Sequence, residues 1–143
     1  MAASLIDLHR RYNDDVINQG NLDLIDELFT PDYVDHAPPG PDLQGRDGIR
    51  QFVTMVHSAF PDAHFTVEDR IVEGNTLVAR WTMRGTHQGE FAGVPATGTP
   101  VVLSGIAIHR FADDQIQESW DYYDALGLLQ QLGAIPTPGQ ASP

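Results

Sequence analysis

The sequence predicts an α+β fold, with helices packed on one face of a curved antiparallel sheet. Up to Pro61 the apolar residues recur at helical spacing, and from His64 onward the repeat changes to two. Between the predicted strands lies GTHQGEFAGVPATGTP, too rich in Gly, Pro and Thr for a regular strand throughout. It reads as an irregular crossover or a bulged edge. A curved sheet with helices across its mouth encloses a pocket.

Each element has a local reason. Leu5, Leu8, Tyr12 and Val16 follow Ser4, a hydroxyl suited to an N-cap, and Gly20 ends that helix. Asn21 caps a short second helix through Leu24, Ile25 and Leu28, which Pro31 stops. Tyr33-Val34-Asp35-His36 is a brief strand before the loop APPGPDLQG. A third helix follows Gly45, its stripe made by Ile49, Phe52, Val53, Val56 and Phe60, and Pro61 closes it. Strands are predicted over 64–72, 76–83, 101–111 and 115–123, with turns at Gly74-Asn75 and Asp113-Asp114. Leu126, Leu129 and Leu132 mark a last short helix ended by Gly133. Residues 1–135 are expected to form a single domain and 136–143 (PTPGQASP) a disordered tail.

Composition narrows the function. The 143 residues carry 8 Lys+Arg against 20 Asp+Glu, a formal charge of −12. Such a chain repels phosphate backbones and anionic lipid, so neither nucleic acid nor membrane is expected as a partner. Cysteine is absent, which excludes disulfides, thiol catalysis and Cys-ligated zinc. There is no apolar signal core and no long apolar run, so a cytoplasmic protein is expected.

The segment 115–123 is the most informative. Alternation sets Gln117, Ser119, Asp121 and Tyr123 on one face and Ile116, Glu118, Trp120 and Tyr122 on the other. On the preceding strand Val101, Leu103, Gly105, Ala107 and His109 oppose Val102, Ser104, Ile106, Ile108 and Arg110. Gly105 and Ala107 are the smallest of these, and small side chains in a sheet interior leave volume unfilled. Their face therefore borders a cavity, and Asp121 points into it. An apolar cavity disfavours the charged carboxylate, raising its pKa toward the range useful for proton transfer. The alternative is a solvated or ion-paired edge residue. Asp124 is the rival acid, although Asp before a helix is ordinarily an N-cap, and a one-residue register slip would exchange the two.

Asp35 and His36 are candidates for the pocket mouth, although turn hydrogen bonding explains that pair about as well. Trp81 fits the core by its alternation with Arg80 and Thr82, and is also a candidate for the pocket wall. No metal is expected, because His9, His57, His64 and His87 lack ligand spacing and HExxH is absent. Nucleophile elbow, Walker loop and dinucleotide fingerprint are missing too. Acid–base chemistry without a cofactor is the simplest enzymatic option.

Tyr33-Val34-Asp35-His36, Gly85-Thr86-His87-Gln88-Gly89-Glu90, Gly93-Val94-Pro95-Ala96-Thr97-Gly98, and the ending from Glu118 through Trp120, Asp121 and Asp124 to Gln131-Leu132-Gly133 resemble the SnoaL-like polyketide cyclase family. The resemblance runs from Leu5 to Gly133. It implies the cone-shaped α+β fold of nuclear transport factor 2 and ketosteroid isomerase. It also implies closure of a ring of a polyketide ester by intramolecular aldol addition, without metal or organic cofactor. By similarity, Asp121 removes the carbon-bound proton and later returns a proton to the new alkoxide, and the enolate needs electrostatic stabilisation. This chain departs from the pattern at the aspartate's polar partners. Ser119 stands for a histidine, Gly105 and Ala107 for a glutamine and a histidine, and Asp35 for an asparagine. These changes imply a roomier, more apolar pocket. His36, Ser119, Tyr123 and His109 are the candidates to replace the lost donors.

Two further readings stay open: an epoxide hydrolase with Asp121 and Asp35 as paired carboxylates, and a non-catalytic module binding a small apolar ligand. The face bearing Ile106, Ile108, Trp120 and Tyr122 is too apolar to be left in water, so a homodimer is expected.

Overall fold

The computed structural model describes residues 4–136, so the expected tail at 136–143 lies, apart from Pro136, outside the described residues. The Ser4 hydroxyl accepts the Asp7 N–H at 3.1 Å and starts helix α1 (Leu5–Arg11). The chain then continues as a π-helical segment over Tyr12–Asn18, where the spacing predicts an uninterrupted α-helix. Asn13 and Asn18 each donate a side-chain N–H to the Phe65 carbonyl at 3.0 Å. Residues five apart share a face only in the wider winding, so this common acceptor accounts for it. Gly20 (φ +72°) takes the chain out of the helix, and Asn21 caps a 3₁₀ turn at Leu22–Leu24 that runs into α2 (Ile25–Leu28).

Strand β1 (Phe29–His36) begins earlier than the sequence predicts and includes Pro31. Its pairing with β6 is irregular between Phe29 and Val34, and a residue without an N–H is tolerated there. Next come the two-residue β2 (Leu43–Gln44) and α3 (Gly45–Ala59), which buries Ile49, Val53 and Val56. The remaining strands are β3 (His64–Glu73), β4 (Thr76–Thr86), β5 (Pro100–Ala112) and β6 (Gln115–Tyr123). Asp113 and Asp114 both have left-handed φ (50° and 64°), the conformation a two-residue hairpin turn demands.

The sheet has six strands in the order β2-β1-β6-β5-β4-β3, curved and unclosed. It is mixed rather than wholly antiparallel, since β1 runs parallel to β6. Parallel neighbours need a long crossover, and here α3 and four further strands, β2 to β5, lie between them in the chain. In α4 (Ala125–Gln131) the buried face carries Leu128, with Leu132 buried just beyond, whereas Leu126 is 60% exposed. The core lies between the helices and the concave face, on Leu77, Ala79, Met83, Val101, Phe111 and Ile116. On the convex face Val102, Ile106, Ile108 and Tyr122 are exposed. Among the described residues, no helix is long and apolar enough to cross a membrane.

Candidate active site

Two adjoining chambers occupy the space between helices and sheet. The outer one, about 250 Å³, is almost wholly apolar, with Phe52, Met55, Phe60, Leu103, Tyr123 and Leu128 among its walls. The inner one, about 20 Å³, has the room of a single water. His9, Tyr12, Asn13, Ala107, His109 and Asp121 line it. Phe52, Phe65 and Trp81 border both and form the partition.

Strand register explains how Asp121 reaches the inner chamber. It pairs with Ala107 across β5–β6, and Ser119, two residues before it, pairs with His109. Asp121 Oδ1 is buried and has no hydrogen-bond partner. Burial pushes its carboxyl up to about 6, and a contact from Trp81 works in the opposite direction. Asp124 is settled differently. Its carboxylate accepts the Gly127 N–H at 2.9 Å as the cap of α4, so Asp121 is the chamber acid.

Asp35 sits behind the chamber wall. It pairs with Ser119 across the parallel β1–β6 ladder, is 3% exposed, and also has an unpartnered Oδ1. Burial raises its carboxyl to about 7, with the Asp121 charge adding to the rise. Two neighbouring carboxylates in a dry site resist ionising together, so the pair shares the upward shift.

A chain of rings closes the enclosed end. His109, 3% exposed, pairs its Nδ1 with the Ser119 hydroxyl at 2.6 Å and packs against His9 and Tyr12 at ring distances of 5.0 and 5.7 Å. Burial lowers His109 to about 4. His9 is lowered further, to about 2, by burial and then by the neighbouring His109 and Arg70. Arg70 Nε donates to His9 Nδ1 at 2.9 Å. Both imidazoles are therefore neutral at ordinary pH.

The sequence-predicted residues do not all converge. Asp121, Ala107, His109 and Trp81 line the inner chamber, and Tyr123 lines the outer one. Ser119 holds His109. Gly105 leaves no open volume: a Cβ there would strike the Trp81 indole and the Tyr122 carbonyl, so the glycine makes room for Trp81. His36 lines neither chamber. Its Nδ1 lies 3.0 Å from Asp42, its Nε2 lies 2.8 Å from Glu118, and its ring stacks on Trp120. The expectation of a His36 pocket residue is corrected by these partners.

Sequence reasoning missed His9, Asn13, Phe52 and Phe65 as chamber residues. His9 lies three positions before Tyr12 and four after Leu5, on the apolar face of α1, and that placement was the available signal. A strap over the outer chamber was legible only as irregular. There His87 is fully buried, its Nδ1 accepts the Thr97 N–H at 3.2 Å, and Phe91 faces the chamber.

The profile of the SnoaL-like polyketide cyclases matches residues 7–132. The chain belongs to this family. It is 34% identical over 142 residues to the aklanonic acid methyl ester cyclase DnrD of Streptomyces peucetius, covering 93% of this chain and 94% of that one. The nogalonic acid methyl ester cyclase of Streptomyces nogalater is 30% identical over 118 residues, covering 81% and 88%. Among solved structures, TsrD from Streptomyces laurentii superposes with a TM-score of 0.83 at 30% identity, covering 92% of this chain and 96% of its own. The fold is thus the cone of the nuclear transport factor 2-like proteins that SnoaL-like cyclases share.

Proposed function

We propose that this SnoaL-like protein closes a ring of a polyketide-type ester by intramolecular aldol addition, with Asp121 as general acid and base. The observation that carries the reading is a desolvated carboxylate in a small inner chamber that Phe52, Phe65 and Trp81 divide from an apolar outer one. Asp121 takes a proton from the carbon beside a carbonyl, and the electron pair moves to the carbonyl oxygen. The enolate carbon then attacks a second carbonyl of the same molecule, and the proton returns to the new alkoxide. Atoms balance without an external acceptor, so no cofactor or metal is needed for this sequence. Ester cyclases among the relatives support the substrate class.

An epoxide hydrolase would set an arginine between its carboxylates. Among the described residues no arginine lines either chamber, which favours the cyclase. The exposed apolar patch of Val102, Ile106, Ile108 and Tyr122 supports a homodimer through the convex sheet face. Sedimentation at micromolar concentration tests it, and a purely monomeric protein would refute it.

Turnover of aromatic polyketide methyl esters, with aklanonic acid methyl ester first, tests the chemistry. Asp121→Asn should lower kcat/KM by about 10²- to 10⁴-fold. Wild-type turnover that survives this substitution would overturn the assignment. Ligand binding with no turnover of any ester or epoxide would favour a binding module.

A further inference from the structure

His9 is a buried histidine whose place in the core is not explained by packing alone. It is 3% exposed, on a helix whose other buried residue is Leu8, and it lines the inner chamber together with Asp121. Burying an imidazole costs free energy unless its nitrogens are used. One is used: Arg70 Nε donates to Nδ1 at 2.9 Å. Guanidinium can only donate, so Nδ1 is the acceptor and the proton resides on Nε2. Across the ring, that Nε2 has no protein partner among the described residues, and the His109 ring packs at 5.0 Å without a hydrogen bond between the two. Burial above all disfavours a second proton, and the neighbouring His109 and Arg70 add to this.

A neutral N–H donor held in one tautomer beside a base is the arrangement that stabilises a developing oxyanion without competing as an acid. We propose that His9 donates this hydrogen bond to the carbonyl oxygen of the substrate as Asp121 removes the adjacent proton, and that Arg70 is the positioning residue that fixes its tautomer. The inference rests on the acid–base reading of the chamber above. It also assigns a donor where Gly105 and Ala107 offer none. No proton leaves His9: the carbon-bound proton goes to Asp121, the electron pair to the oxygen, and Nε2–H only bridges to that oxygen.

Imidazole ¹⁵N NMR and a pair of aromatic probes test the proposal together. In the wild-type protein His9 should show the Nε2–H tautomer with no titration between about pH 5 and 8. Arg70→Gln should release it into a tautomer mixture. 2-Naphthol, whose ionised oxygen mimics an enolate, should bind about tenfold more weakly to His9→Phe, while naphthalene binds unchanged. His9→Gln, which keeps an N–H donor, should recover most of the loss. An Nδ1–H tautomer, or equal loss of both probes in His9→Phe, would overturn the donor role and leave the chamber standing. Failure of the wild-type protein to bind either probe would overturn the chamber reading and the proposal with it.

Discussion

Asp121 and Asp35 show how one strand pairing sets chemistry at the level of single residues. Ser119 is the partner of Asp35 on one side and of His109 on the other, and Asp121 follows it by one pleat. Both acids are raised by burial, and the charge of Asp121 adds to the rise at Asp35. Replacing Asp121 by Asn should therefore lower the Asp35 pKa from about 7, read by carboxyl ¹³C NMR. An unchanged value would mean that the two do not interact. Gly105 gives a second prediction at this scale. Gly105→Ala drives a methyl into the Trp81 indole and the Tyr122 carbonyl, and should cost about 1–3 kcal/mol of unfolding free energy while disturbing the partition between the chambers. Alternation in the sequence sets Asp121 and Ala107 on one face, and both line the inner chamber. It sets Ile116 on the opposite face, whereas the irregular pairing after Arg110 turns Ile116 into the core. It could not show that Trp81, one strand away, lies over Gly105, because side-chain reach across a sheet is not a periodic property.

The elements that enclose the site are tied by side chain to main chain. Asn18 both donates to the Phe65 carbonyl and accepts the Phe65 N–H at 2.7 Å, joining the π-helical segment to β3 beside the partition. Asn18→Ala should lower stability by about 1–3 kcal/mol, since it strands the Phe65 N–H and leaves the Phe65 carbonyl to Asn13 alone, and chemical denaturation measures it. The strap between β4 and β5 is anchored at the end of α3, where the Gln88 and Gly89 N–H groups reach the Ala59 carbonyl at 3.0 and 3.1 Å. A Cβ at Gly89 would collide with the Ser58 carbonyl. Gly89→Ala should therefore free the strap, lowering protection of the Gln88 amide in hydrogen exchange without altering β5 and β6. Caps were legible here: Ser4, Asn21 and Asp124 all accept the N–H groups their positions imply. The π-helical winding was not, because it answers to Phe65, a residue 47 positions from Asn18.

At the scale of the whole molecule, the buried titratable groups set opposite pH dependences. Asp121 and Asp35 hold protons that the unfolded chain has released, so through about pH 4 to 7 their burial makes stability fall as pH rises. His9 and His109 do the reverse. The unfolded chain protonates them below about pH 6.5 while the native protein does not, so stability falls as pH falls through that window. Removing one acid should expose its share. Between about pH 4 and 8, the stability of Asp121→Asn relative to wild type should rise by up to about 3 kcal/mol. A pH-independent difference in thermal denaturation would contradict this. Fold class and pocket were legible because helices and strands announce themselves by period. The parallel β1–β6 pair was not, because nothing in the period of β1 names a partner about 80 residues away.

The most direct test of the central claim, that Asp121 is a desolvated acid–base group, is its own titration. Carboxyl ¹³C NMR of the wild-type protein, assigned by the signal lost in Asp121→Asn, should give a midpoint of about 6. A midpoint near 3.8, the ordinary aspartate value, would mean a solvated carboxylate and would contradict the account.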